Sequence, residues 1–153
     1  MEVIKWLSIA DRYTKMHLDK ALAALRLNSS QYMYVIRICQ SPGMTQDCFF
    51  EQFYVNPSNI TRSLAYLEKE GFIRKEVNPE DKRTCRLYPT QKALDARPEI
   101  EASIEGWEAL LLENMSSGEI HKFKEQLEYI GQQAVQLCPK EAAVYEQSRK
   151  EKR

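Results

Sequence analysis

The chain has 153 residues and little glycine (5), with a moderate proline count (6). That composition disfavours glycine-rich phosphate loops and turn-dense all-β folds. It contains no apolar run approaching the roughly 18 residues a transmembrane helix needs. The start, Met1-Glu-Val-Ile-Lys-Trp6, lacks the basic region, apolar stretch and small-residue cleavage site of a secretory signal, so a cytoplasmic protein is expected. Cysteines stand at 39, 48, 85 and 138 with no C-x-x-C pair, and His17 and His121 are the only histidines. A zinc site and a disulfide framework are both disfavoured. No Ser-His-Asp or Cys-His arrangement can be assigned, so no enzyme, metal or cofactor is expected. Net charge is also lacking, with 22 basic against 22 acidic side chains. Any case for a nucleic-acid partner must rest on where the charges sit.

What is present is an ordinary globular balance of 43% apolar and 29% charged residues, enough for one domain with a real core. A helix is expected over residues 4–25. A second starts at Asn28, with Gln31 three residues on and Leu27 and Tyr32 as flanking staple, and ends near Gln40 before Ser41-Pro42-Gly43. Thr45 is placed as the cap of a short third helix over 46–53. After the turn Tyr54-Val55-Asn56, Asn56 caps a fourth helix with Pro57 at its first position, and Gly71 stops it. Two β-prone stretches, Phe72–Val77 and Thr84–Tyr88, flank turn residues 78–81 and predict a hairpin. Thr90 caps a fifth helix that Pro98 is expected to kink or interrupt. Ser116-Ser-Gly-Glu119 is a capping box. It opens a helix in which Ile120, Phe123, Leu127, Ile130, Ala134 and Leu137 step by three and four, a seam for packing along another helix. Pro139 should end that seam, and the charged tail Arg149–Arg153 should fray.

Helix, tight turn, helix and charged hairpin is the order of a winged helix-turn-helix. At 100° per residue, Ile60, Leu64 and Leu67 share one face of the fourth helix. The opposite side carries Ser58, Asn59, Thr61, Arg62, Tyr66 and Lys69, hydrogen-bonding and cationic groups suited to base edges and phosphates in a major groove. Lys82 and Arg83 sit at the hairpin tip, where a wing reaches a neighbouring minor groove. Asp81 is assigned a wing-structuring role through a pair with Arg83. The lobe is nonetheless nearly neutral: residues 44–92 hold 8 basic and 7 acidic side chains.

The segment from Val55 through Asn56-Pro-Ser-Asn-Ile-Thr-Arg62 to Gly71-Phe-Ile-Arg74 resembles the recognition helix and first wing strand of the MarR (multiple antibiotic resistance regulator) family. Asn78-Pro-Glu-Asp-Lys-Arg83 is similar to the family's wing signature, and Thr90-Gln-Lys-Ala93 sits where Thr-x-Lys-Gly is usual. Phe49-Phe50 departs from the common Leu-Ala, and Lys82 from a common arginine. The resemblance implies a mainly α fold with a small antiparallel hairpin wing. It divides one domain, 1–153, into a DNA-binding lobe (28–92) and dimerisation helices (1–27 and 93–153). It further implies a homodimeric transcription regulator, a repressor on a near-palindromic double-stranded operator, released by a small aromatic effector.

Tyr13, Met16 and His17 on the first helix, and Tyr32, Tyr34 and Arg37 on the second, lie near where the family's effector pocket is found, with Arg37 or His17 able to meet a carboxylate. An alternative is thiol-oxidation sensing at Cys39, Cys48 or Cys85. The rival from another class is a winged-helix protein-interaction module that binds no DNA.

Overall fold

The computed structural model describes residues 1–138. Among these the order is α1 (Glu2–Ala21), a 3-10 turn (Ala23–Leu25), α2 (Tyr32–Gln40), β1 (Met44–Thr45), α3 (Asp47–Phe53), α4 (Pro57–Lys69), β2 (Ile73–Val77), β3 (Cys85–Pro89), α5 (Gln91–Leu111) and α6 (Ser117–Leu137). The fold is mainly helical with a winged helix-turn-helix at its centre. The helix end expected at Pro139 and the tail 149–153 lie outside the described residues.

Local chemistry explains most of these boundaries. The Asn56 side chain accepts from the Ser58 amide at 2.9 Å and Pro57 opens α4. Gly71, at φ +76, takes the left-handed turn that ends it. Thr90 caps α5, and Ser116 with Glu119 closes a reciprocal capping box on α6. The first helix is shorter than expected, because the chain tightens into the 3-10 turn after Ala21. Only half of the expected exchange between Asn28 and Gln31 forms: Gln31 Oε1 accepts from the Asn28 amide at 3.1 Å, while Asn28 Oδ1 accepts from the Ser30 amide at 2.8 Å, and the pair closes a turn ahead of α2 instead of capping it.

Two expectations are corrected. Thr45 does not cap α3; it ends β1, and its hydroxyl lies 3.8 Å from Cys48 Sγ. Strand β1 pairs antiparallel with β3, Met44 opposite Leu87 and Thr45 opposite Arg86, so the hairpin becomes a three-stranded sheet in the order β1-β3-β2. A two-residue strand carries too short a pattern to read as one. Nor does Pro98 interrupt α5, the stronger of the two outcomes expected of it; the helix runs through it. The carbonyl it orphans is that of Leu94, and both residues are exposed, where water replaces the lost bond.

The core is one cluster. Leu18 and Leu22 of α1, Tyr34, Val35 and Ile38 of α2, Phe49 of α3, Ile60, Leu64 and Leu67 of α4, Phe72, Leu87, and Ala93, Ala96 and Ile100 of α5 meet within it. Phe49 is fully buried with its ring edge-on to Tyr34, centroids 4.7 Å apart, while Phe50 packs on the margin. The aromatic pair is thus accommodated by sending one ring inward and leaving the other at the rim. In contrast, α6 buries no residue along its length. Phe123, Leu127, Ile130 and Leu137 on it are exposed, as are Val3, Ile4 and Trp6 at the other end of the chain.

Candidate nucleic-acid interface

The fourth helix divides as its 3.6-residue period requires. Ile60, Leu64 and Leu67 are buried, while Ser58, Asn59, Thr61, Arg62 and Lys69 are exposed. The Ser58 hydroxyl donates to Asn56 Oδ1 at 2.5 Å, and the Thr61 hydroxyl donates back to the Pro57 carbonyl at 3.0 Å. Arg62 Nη2 donates to Asn59 Oδ1, which holds the guanidinium on the outer face over the first turns. Ser58, Asn59 and Arg62 therefore form one polar patch at the amino-terminal half of α4, beside the positive end of the helix dipole.

Tyr66 does not join that patch. It is half-buried against the core cluster, and its hydroxyl donates to the Arg26 carbonyl at 2.6 Å. Forty degrees of helical rotation separate it from Arg62 on an ideal helix. That is close enough to read as the same face, yet the ring turns toward the 3-10 turn after α1.

The wing is held by a side-chain network. Asp81 Oδ1 accepts from the Arg83 amide (3.1 Å) and Nε (3.0 Å), and Oδ2 accepts from Arg83 Nη2 (3.2 Å). These bonds keep the Asp81 carboxyl below its ordinary range and push the Arg83 guanidinium up. The loop has a second anchor that sequence reading missed. Asn78 is buried, donating from Nδ2 to Thr84 Oγ1 (3.0 Å) and accepting at Oδ1 from the Glu80 amide (3.2 Å) and Arg86 Nε (3.2 Å). An asparagine just before a proline was the available signal, but it reads only as a turn. Lys82 stays exposed at the tip.

The near-neutral count of the lobe has a spatial explanation. Four of its seven acids pair with strand and wing cations: Glu76 with Arg74, Glu68 with Lys75 at 2.9 Å, Glu80 with Arg86 at 3.2 Å and Asp81 with Arg83; a fifth, Glu70, pairs with Arg26 at 3.2 Å. Among the described residues Lys69 and Lys82 carry no ion pair, and Arg62 is bonded to a neutral amide. The positive potential is therefore concentrated at α4 and the wing tip.

The five effector candidates stand in different surroundings. Tyr34 belongs to the core, its phenol pushed up by burial with the Ser63 side chain pulling the other way. Tyr13 is exposed, and the neighbouring Met16 is exposed too. His17 stacks on Trp107 of α5, centroids 4.1 Å apart, and Trp107 Nε1 donates to Thr14 Oγ1 at 3.0 Å. Tyr32 is half-buried, which raises its phenol. Arg37 is half-buried, and its Nε is buried with no acceptor among the described residues.

The thiols differ sharply. Cys39 is buried and pushed up by desolvation, Cys48 is half-buried, and Cys85 and Cys138 are exposed. Among the described residues no helix is long and apolar enough to cross a membrane, and no group of three or more His, Cys, Asp or Glu residues is placed to hold a metal ion.

Comparison with known proteins agrees with this geometry. The MarR family profile matches residues 27–85. The HTH-type transcriptional regulator YybA of Bacillus subtilis (strain 168) is 34% identical over 74 residues; the match spans 48% of this chain and about half, 49%, of that relative's length. A crystal structure of MarR superposes with a TM-score of 0.74 at 31% identity, covering 87% of this chain and 90% of that one. A MarR family transcriptional regulator from Listeria monocytogenes, complexed with 26mer DNA, gives a TM-score of 0.80 at 24% identity, over 85% and 87% of the two chains.

Proposed function

The chain belongs to the MarR family, and from that premise we propose that it is a homodimeric transcription regulator, a repressor acting in the cytoplasm on a near-palindromic double-stranded operator. The observation that carries this reading is the pairing of two surfaces. One is the capped α4, whose Ser58, Asn59 and Arg62 lie together on the side opposite the buried Ile60, Leu64 and Leu67. The other is a wing tip fixed by Asp81 and Asn78, which presents Lys82 and Arg83. In this reading Arg62 reads a base edge in the major groove, the start of α4 and Lys69 meet phosphates, and the wing enters the adjacent minor groove. The DNA complex of the Listeria relative, which shares the fold, supports it.

The dimer rests on α6. A 21-residue helix with no fully buried residue gains little from tertiary packing within its own chain. Its Phe123, Leu127 and Ile130, with Trp6 and Ile4 of α1, are large apolar side chains left exposed. A second copy covers them, with residues 28–92 as the DNA-binding lobe and 1–27 and 93–153 as dimerisation segments. Two recognition helices would then address half-sites roughly 34–36 Å apart.

One observation favours release by a small molecule. The Arg37 Nε–H is a buried donor without an acceptor, and a buried unsatisfied donor is costly. An aromatic carboxylate reaching it between α1, α2 and α5 would supply one; calorimetric titration with benzoate against wild type and Arg37→Ala tests this, and equal heats exclude the site.

The test of the main reading is selection of duplexes from a random pool, followed by fluorescence anisotropy against a scrambled control at two salt concentrations. Selective, salt-sensitive binding is expected. A failed selection would replace this reading with the protein-interaction module.

A further inference from the structure

We propose that Tyr66, Arg26, Glu70 and Lys92 form a clasp that sets the orientation of the recognition helix against the arm helices, which makes Tyr66 a positioning residue for operator selectivity. The inference rests on the DNA-binding reading above.

The clasp joins elements far apart in the chain. Helix α4 packs mainly on α2, α3 and β2. Toward the arms it is tied by polar contacts around its last turn. The Tyr66 hydroxyl donates to the Arg26 carbonyl at 2.6 Å. Arg26 holds a left-handed backbone, φ 58 and ψ 34, as the cap of the 3-10 turn that follows α1. Only glycine and a few polar residues adopt that conformation readily, so the site must hold it from outside. Arg26 reaches back with its guanidinium, Nη1 lying 3.2 Å from Glu70 Oε2. The Glu70 side chain is 9% exposed and that of Arg26 72%; a carboxylate so covered needs the cation that covers it.

Glu70 is also the cap of α4, and its carbonyl accepts from Lys92 Nζ of α5 at 2.7 Å. That ammonium lies 4.3 Å from the centre of the Phe72 ring. Both cations sit at the carboxyl end of α4, where the helix dipole favours them. The last turn is thus held from one side by the turn after α1 and from the other by the first turn of α5. A cavity of about 520 Å³, lined by Arg26, Phe72, Lys92, Asp95 and Ala96 among others, opens beside it. Water therefore reaches the clasp, and its contacts are separable from the core.

The consequence for recognition is leverage. Helix α4 has 13 residues, about 20 Å of axis at 1.5 Å per residue. A 5° swing about its carboxyl end moves Ser58, Asn59 and Arg62 by roughly 1–2 Å over that length. Hydrogen bonds to base edges fail over such distances, whereas contacts to phosphate by flexible lysines persist. Tyr66 lies about one to two turns from the patch and touches no base in this arrangement, yet it holds the patch in register.

Tyr66→Phe keeps the ring and deletes only the hydroxyl. Affinity is measured by anisotropy on the tightest duplex selected from a random pool and on a scrambled duplex, at two salt concentrations. Hydrogen exchange of the free protein is followed in parallel. With one bond lost per subunit of a dimer, the selectivity ratio should fall about 5- to 150-fold, with the scrambled-duplex affinity and salt slope unchanged. Exchange should accelerate over both 23–27 and 66–72. Because Arg62 is the base reader in the proposed function and the start of α4 meets phosphates, the double variant Tyr66→Phe/Arg62→Ala should lose no more selectivity than Arg62→Ala alone. Equal loss on both duplexes, additive losses in the double variant, or unchanged exchange at 23–27 overturns the clasp. A wild-type chain that binds neither duplex overturns the DNA-binding reading instead, and with it the selectivity role; the exchange measurement then decides whether the tie between α4 and the turn after α1 exists.

Discussion

Replacing Arg62 with alanine separates base reading from folding. The guanidinium is exposed and bonded only to its neighbour Asn59 on the same face of α4. Its removal leaves Ile60, Leu64 and Leu67 packed, so stability should change by no more than about 0.5 kcal/mol. A bidentate pair to a base edge discriminates by about 1–3 kcal/mol. Two recognition helices in a dimer double this, so selected-duplex binding should weaken by about 2–6 kcal/mol, roughly 30-fold to more than 10⁴-fold. The scrambled duplex, held by phosphate contacts, should lose far less. Anisotropy titrations of both duplexes, with a thermal melt to confirm the fold, measure each quantity. Equal losses on the two duplexes would refute the assignment of Arg62 as a base reader; a lowered melting temperature with proportional losses would refute the claim that the residue is free of structural duty.

Lys82→Ala should weaken every duplex alike and lower the salt slope by about one per subunit, read from the same titrations at several salt concentrations. The Asp81 carboxyl, held down by Arg83, should titrate below 3.8 in a carbon-13 NMR experiment. Its folded value is depressed, so the stabilisation of the wing is present at neutral pH and is lost as pH falls through that value; a midpoint at or above 3.8 rejects the pair. Under iodoacetamide, Cys85 and Cys138 should alkylate first, Cys48 later and Cys39 last, because Cys39 is 8% exposed and its thiol is pushed up by burial; early labelling of Cys39 by peptide mass mapping contradicts this. Leu127→Glu places a charge on the exposed face of α6 and should shift the chain toward monomer in sedimentation velocity, with the lobe still folded by circular dichroism.

Apart from the β2–β3 hairpin, read from β-prone stretches around turn residues, the features legible in the sequence share one physical property: their partners lie within four residues. Asn56 with Ser58, Ser116 with Glu119, Thr90 with Ala93 and Asp81 with Arg83 are contacts a linear reading can find, and each occurs. The buried face of α4 is likewise local, because helical period alone sorts Ile60, Leu64 and Leu67 from Ser58, Asn59 and Arg62. Strand β1 escaped because two residues carry no period; its pairing with β3 is settled by Leu87, more than forty positions away.

Tyr66 shows where such reading ends. By angle it belongs with Arg62, and a tyrosine on that face suits a phosphate as well as a carbonyl. What decides is Arg26, forty residues back, whose left-handed backbone offers a carbonyl that no local signal announces. The same holds for Tyr34, whose helical position is compatible with a pocket until Phe49 closes edge-on over it. Both tyrosines are amphipathic groups, and the ring follows the apolar surface available while the hydroxyl follows the nearest acceptor. For this chain, polar residues on α4 were therefore assignable by angle where the side chain is short or charged, as with Ser58 and Arg62. Where it is a long aromatic with a polar tip, the tertiary partner chose. In the proposed reading the DNA-facing surface is accordingly smaller than the helical wheel suggests, comprising the first two turns of α4, Lys69 and the wing tip, with Tyr66 and Glu70 holding it in place.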